Sequence, residues 1–404
     1  MNVDVATADR RPAAEAWTLW LVSIGHGFSH FYMIALPPLF PLLHAEFGVS
    51  WTALGLIVAL YSLISGAVQV PLGFWVDKFG ARAILLAGFG LQALAIAACG
   101  LAPSYWPLLV LMLVAGLGNA VFHPADYAIL SARIPDQRVG RAFGTHLFAS
   151  YVGWMIGPPV MLALATTLGW RAALVIVGLA GLLYLAVMLW HRECLADTRA
   201  AAPRPAADGR KPLSGLALLS SRPVVLFFLF FLVLSIGGMG LQTFAVPSLI
   251  HLYGATLAEA NLALTLFFVA SGVGILAGGW LADRTARHDL FTAIAFVFGA
   301  VLVAAIGFPV IGIVGAIALM FLGGLCNAIV GPSRDVMVRN ISPPGSVGAV
   351  FGFVTTGFSV GGAIGPLMFG WINDIGRPEW VFFVAAATFI LSIAVVFAAQ
   401  AARR

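Results

Sequence analysis

Residues 111–158 read LMLVAGLGNAVFHPADYAILSARIPDQRVGRAFGTHLFASYVGWMIGP, and residues 319–366 read LMFLGGLCNAIVGPSRDVMVRNISPPGSVGAVFGFVTTGFSVGGAIGP. A shift of 208 residues lays one on the other without a gap and makes 17 of 48 positions identical. The shared positions include Gly116/Gly324, Asn119/Asn327, Pro124/Pro332, Gly144/Gly352, Gly153/Gly361 and the pairs Gly157-Pro158/Gly365-Pro366. Such a match marks an internal duplication, and its period sets the architecture before any single motif is read.

The composition says what is duplicated. Charged residues are 9% of the 404, against about 25% in a soluble domain, while hydrophobic residues are 61% and the mean hydropathy is +1.01. So few charges cannot cover a water-facing surface, so most of the exterior faces lipid. With about 20 apolar residues per crossing, twelve apolar stretches are expected. They lie near 16–43, 51–76, 83–101, 106–131, 142–167, 170–190, 223–250, 257–281, 290–308, 311–336, 347–373 and 379–400. The repeat therefore spans six helices. An even number gives both halves the same orientation, the parallel-repeat architecture in which halves rock around a site near the midplane.

The expected organisation is an N-terminal six-helix bundle (1–191), a cytoplasmic linker (192–222) rich in Ala, Pro and Arg, and a C-terminal bundle (223–404). A short amphipathic segment is expected at 213–219. With both termini inside, the inner loops collect 19 of the 21 Lys and Arg, leaving only Arg171 and Arg377 outside. The net charge of +5 is thus a topology signal of the positive-inside kind, and nucleic acid is not an expected partner. The three cysteines imply no disulfide framework. Residues 1–15 are polar and lead into an apolar run too long for a signal-peptide core, so no cleavable signal is expected.

Between the second and third stretches stands Gly73-Phe-Trp-Val-Asp77-Lys78-Phe-Gly80-Ala-Arg82. This resembles the G-x-x-x-D-[RK]-x-G-x-[RK] loop of the major facilitator superfamily. A weaker copy, Gly279-Trp-Leu-Ala-Asp283-Arg284, follows the eighth stretch, with Ala286 and His288 where Gly and a base are expected. Gly73 is expected to permit close helix approach, and Lys78 and Arg82 to hold the turn on the cytosolic side. Asp77 is expected to face the positive end of a helix near 347–350 in one rocking state only.

The fifth stretch carries Gly144-x8-Gly153-x3-Gly157-Pro158, similar to the motif of the superfamily's exporters but without its trailing Gly pair. Gly352, Gly361, Gly365 and Pro366 repeat it in the eleventh. Glycines at this spacing make a flat packing face, so helix packing explains the pattern as well as export does. Met112 stands where proton-coupled exporters carry an Arg. Gly25-His26, the Pro-rich run ending at Leu43 and His123-Pro124-Ala-Asp126 make the chain most similar to the fosmidomycin-resistance-type efflux branch.

Ionisable side chains inside a membrane are functional candidates by default. His26 and His30 lie one turn apart at mid-depth, and histidine exchanges protons near neutrality. Asn119, His123 and Asp126 descend the fourth stretch, and the repeat places Arg334, beside Asp335, opposite Asp126. The two could pair in one state and part in the other. Tyr151, Trp154, Gln242, Asn327 and Thr355 complete the expected lining, while His146 is expected to be peripheral. A His-x-x-x-His pair can bind metal, but a single such pair carries no metal expectation.

The expectation is a twelve-span, all-α secondary transporter in a bacterial-type inner membrane, monomeric, with no cofactor beyond a proton gradient. It moves a small organic solute by alternating access, in the direction of efflux. Uptake or uniport of an organic acid is the rival reading. An embedded enzyme has little to build on, since no nucleophile–base set is visible and no nucleotide-binding loop occurs.

Overall fold

The structure, a computed structural model, describes residues 10–195, 220–342 and 347–402. The amphipathic segment expected at 213–219 lies outside the described residues. Among these, the chain is helical and without strands, and twelve helices are long and apolar enough to cross a membrane. They are α1 (Ala14–Phe47), α2 (Trp51–Val76), α3 (Ala81–Cys99), α4 (Tyr105–Arg133), α5 (Gln137–Leu168) and α6 (Trp170–Trp190). The second six are α7 (Arg222–Tyr253), α8 (Leu257–Ala282), α9 (His288–Ile306), α10 (Pro309–Ile341), α11 (Val350–Asp374) and α12 (Glu379–Ala399).

Proline sets where these helices break. In α1 the α-helix stops at Ile34, passes through a tight turn at Pro37–Leu39 and resumes at Phe40. Pro37, Pro38 and Pro41 have no N–H to give the ladder. The repeat reproduces a second break. Helix α4 stops at Asn119 and resumes at Phe122, and α10 stops at Ile329 and resumes at Gly331. In each, a proline (Pro124, Pro332) removes the bond that would have bridged the gap.

Two compact units result. Unit one comprises Met1–Ala35, Ile64–Gly157 and Ala163–Arg204, and unit two Leu36–Leu63, Pro158–Leu162 and Pro205–Arg404. Helices in lipid gain little from the hydrophobic effect against one another, so close backbone approach and van der Waals packing hold them. In unit one, Leu21 and Val22 of α1, Leu85 and Phe89 of α3, and Phe122 and Ile129 of α4 form the buried core. Helices α1 and α5 cross backbone to backbone. A Cβ on Gly153 would collide with the carbonyl of Gly27, and one on Gly157 with Ile34. In unit two, α11 packs on α7 in the same manner, with Gly361 and Gly365 against the backbone at Leu232 and Ile236. Two members of the expected packing motif take no part: a Cβ on Gly144 or Gly352 would meet open space.

Unit two also ties the start of α2 to the end of α11. One oxygen of Asp374 accepts the Trp51 N–H at 2.7 Å, and the other accepts the Thr52 N–H at 2.9 Å and the Thr52 hydroxyl. These donors belong to the first turn of α2, where backbone N–H groups lack partners within the helix. Backbones meet beside this cap, where a Cβ on Gly370 would stand 2.8 Å from Cα of Thr52 and one on Gly55 would strike the Pro366 carbonyl.

The loop between α2 and α3 turns at Gly80, whose φ of +91° suits glycine. Gly73, expected at a close helix contact, faces open space instead. Lys78 lies over the Phe79 ring at 5.1 Å, and Arg284 over Trp280 at 3.8 Å, with Asp283 closing α8. The side chains of Asp77 and of residues 347–349, on which the expected gating contact rests, lie outside the described residues. His288, which stands where the repeat lacks a base, instead bonds Ser333 of α10 at 3.1 Å.

Candidate functional site

Helices α1, α4 and α5 bring four histidines and one carboxylate together inside unit one. The Gly27/Gly153 crossing makes this close approach. His26 precedes Gly27 and His30 lies one turn on, while His146 is two turns before Gly153 on α5. On α4 the spacing of Asn119, His123 and Asp126 puts all three on one stripe.

Nδ1 of His26 lies 3.1 Å from Oδ2 of Asp126, and Nε2 of His146 lies 3.5 Å from the same oxygen. The other ring nitrogen of His26 lies 3.2 Å from Nε2 of His30. His26, Asp126 and His146 are 2%, 0% and 1% exposed, so water does not compensate them in this state. Nδ1 of His26, both oxygens of Asp126 and both ring nitrogens of His146 are buried without a hydrogen-bond partner of acceptable geometry among the described residues. Buried polar atoms are nearly always satisfied, and a cluster of orphans calls for an ion, a proton or water.

Around this centre the surroundings grade toward accessibility. The His26 ring lies tilted at 4.1 Å from that of His146 and edge-on at 5.3 Å from that of His123, which is exposed. His30 is half-buried and stands edge-on to Trp154 at 4.5 Å, and Trp154 to Tyr151 at 5.3 Å. Asn119 donates to Ser65 at 2.9 Å and accepts from Gln92 at 3.4 Å. Histidine, indole, phenol and amide groups thus surround the buried carboxylate, which lies one layer behind them.

In unit two, Nε of Arg334 donates to Asp335 at 2.9 Å, and its guanidinium lies over Phe231 at 4.8 Å and Phe358 at 5.4 Å. Arg334 thus has its neighbour Asp335 for a partner, and Asp126 has histidines of its own unit. Gln242 and Asn327 are half-buried on α7 and α10, and Thr355 bonds its own helix at Phe351.

Sequence reasoning placed His146 at the periphery because it lies near an end of the fifth stretch. The structure corrects this, burying it against Asp126. The signal was present in the glycine spacing: Gly27 and Gly153 meet, and each has a histidine on the same helix. The absence of a metal expectation rested on counting His-x-x-x-His pairs within one helix. Here one nitrogen each of His26 and His146 and one oxygen of Asp126, from three helices, lie within 4.8 Å of one another, a donor set that could hold a metal ion.

The Major Facilitator Superfamily model matches residues 22–247 and 232–403. The chain belongs to the Major Facilitator Superfamily. It is 25% identical over 400 residues to the fosmidomycin resistance protein of Escherichia coli K12, covering 94% of this chain and 92% of that protein. It is 26% identical over 361 residues to the multidrug resistance protein MdtH of Photorhabdus laumondii, covering 84% and 83%. Its fold is similar to the crystal structure of a bacterial homolog of the human lysosomal transporter Spinster, with a TM-score of 0.79 over 96% of this chain and 97% of that one, at 16% identity. As a superfamily member, the chain is a multi-pass membrane transporter, and its relatives are transporters rather than enzymes.

Proposed function

We propose that this superfamily member exports a small organic solute across the bacterial inner membrane by alternating access, in exchange for protons. The observation that carries this reading is the row of contacts His30–His26–Asp126–His146, no step longer than 3.5 Å. A carboxylate this deeply buried is costly to leave charged without a proton or a cation beside it. Imidazoles on either side can pass a proton to it and take one away.

Solute meets the accessible side of the same row at His30, His123, Tyr151 and Trp154. A proton on the row and a solute at its edge then compete, which is what exchange requires. In unit two, Arg334, Asn327 and Gln242 offer a cation and amides to a neutral or mildly anionic solute. Efflux is supported by the fosmidomycin resistance and multidrug resistance relatives. The arrangement has both termini in the cytoplasm, the chain acts as a monomer, and it catalyses no covalent chemistry.

The test is lumenal pH in everted vesicles containing the overproduced protein, energised to an acid interior. Pooled organic acids and antibiotics are added one pool at a time. A solute-evoked rise in lumenal pH, absent from empty-vector vesicles, is the expected result. No response from any pool that is nonetheless transported would refute proton exchange.

A further inference from the structure

We propose that His26 Nδ1, His146 Nε2 and Asp126 form a binding site for a divalent transition-metal ion of the zinc class, which regulates the transporter by occupying the row that protons use. This rests on the proton-exchange reading for its functional consequence, but the site itself stands on geometry alone.

Zinc binds imidazole nitrogen and carboxylate oxygen at about 2.0–2.1 Å, so a tetrahedral site has donor–donor edges of about 3.3 Å. Two edges of the constellation are 3.1 Å and 3.5 Å. The third pair lies within 4.8 Å, a gap that rotation of two imidazoles closes. Each nitrogen lies within ion-pair distance of the Asp126 oxygen yet forms no well-directed hydrogen bond with it. Lone pairs that converge on a point rather than on each other are what a cation needs.

The surroundings suit metal as well. His26 offers Nδ1 to the site and keeps Nε2 at 3.2 Å from His30. A metal on Nδ1 fixes a proton on Nε2, and that proton is donated to His30, an outer partner of the kind that orients metal-bound histidines. Three protein donors leave one position open, as in sites where a water or ligand group completes the coordination. Two neutral imidazoles and one carboxylate leave the loaded site with a single positive charge. The set selects for zinc, cobalt or nickel over magnesium or calcium, which prefer all-oxygen sites. Exposed His123, beside His26, is the polar step by which an ion reaches it.

The consequence is antagonism. An ion here takes the lone pairs of His26, His146 and Asp126, so the row can neither accept nor pass a proton. All the donors lie in unit one, so the ion needs no change in that unit's relation to the rest of the chain to stay bound.

The test uses full-length protein purified in detergent, free of any histidine tag, and titrated with Co2+. The expected result is one Co2+ per chain, with the strong visible absorption of a four-coordinate nitrogen/oxygen site, displaced by Zn2+. His146→Ala and Asp126→Asn should each lose that spectrum or weaken binding by about tenfold or more, and His30→Ala should weaken it about tenfold while keeping the stoichiometry. Circular dichroism confirms that each variant is folded. Should His146→Ala not fold, Asp126→Asn and the zinc-induced rise in the wild-type melting temperature decide. Absence of a saturable site in the wild type, or an unchanged spectrum in the folded variants, overturns the proposal. Proton exchange measured in the presence of a chelator separates the two readings: exchange without cobalt binding refutes only the metal site, and cobalt binding without exchange refutes only the proton reading.

Discussion

Replacing Asp374 with Ala removes the cap on the first turn of α2. Helix α2 belongs to the first repeat and α11 to the second, so under alternating access this contact exists only while those two helix ends touch. The cap comprises two backbone N–H bonds at 2.7 and 2.9 Å plus the Thr52 hydroxyl. Losing an N-cap acceptor costs about 0.5–2 kcal/mol, and removing a negative charge from a helix N-terminus costs about 0.3–1 kcal/mol. Asp374 is exposed, so values below the middle of each range apply, about 1.5 kcal/mol together. That is about a tenfold shift toward the state in which α2 and α11 have parted. Asp374→Asn keeps an acceptor and should shift the balance by about threefold or less. The assay is double electron–electron resonance between spin labels at Ala45, exposed at the end of α1 that leads into α2, and Ala258, exposed in the first turn of α8 in the second repeat. The longer-distance population should rise in Asp374→Ala, and adding Thr52→Val should change little more, since its hydroxyl has already lost its acceptor. An unchanged distance distribution in a folded Asp374→Ala protein refutes the reasoning.

His30→Ala and Asp126→Asn should each lower transport without lowering the amount of protein in the membrane; full transport by both at saturating and limiting pH gradients rejects the site. Gly153→Ala should lower the melting temperature in detergent, because its Cβ strikes the Gly27 carbonyl and overpacking of this kind costs about 1–3 kcal/mol. Gly144→Ala, facing open space, should be neutral or slightly stabilising, by up to about 1 kcal/mol of helix propensity. Equal melting temperatures for the two variants would contradict the packing described. Asp335→Ala should remove the carboxylate that accepts from Arg334, leaving its guanidinium over Phe231 and Phe358 among the described contacts, and a change in solute selectivity rather than in expression is the readout.

The twelve helices and the duplication were legible because they depend on local composition and on repeated glycine and proline positions. The breaks at Pro124 and Pro332 follow from single residues, and the structure places them in register. What could not be read locally was depth and partnership. His146 lies well along α5 from the crossing glycine, and only the Gly27/Gly153 contact turns it inward toward Asp126. Arg334, which the repeat sets opposite Asp126, bonds Asp335 one residue away in this structure, a partner that symmetry of position does not reveal. Asp374 lies at the end of the eleventh stretch, where an acidic residue reads as a loop charge. Its role depends on where the first turn of α2 lands, 322 residues earlier.

The central claim is that proton and solute exchange through Asp126, and purified protein in liposomes tests it directly. Two fluxes are compared for the wild type and Asp126→Asn: solute movement against its gradient under an imposed pH gradient, and solute–solute exchange with no pH gradient. The account predicts that Asp126→Asn loses the first and retains the second. Retention of pH-driven accumulation by Asp126→Asn would contradict it.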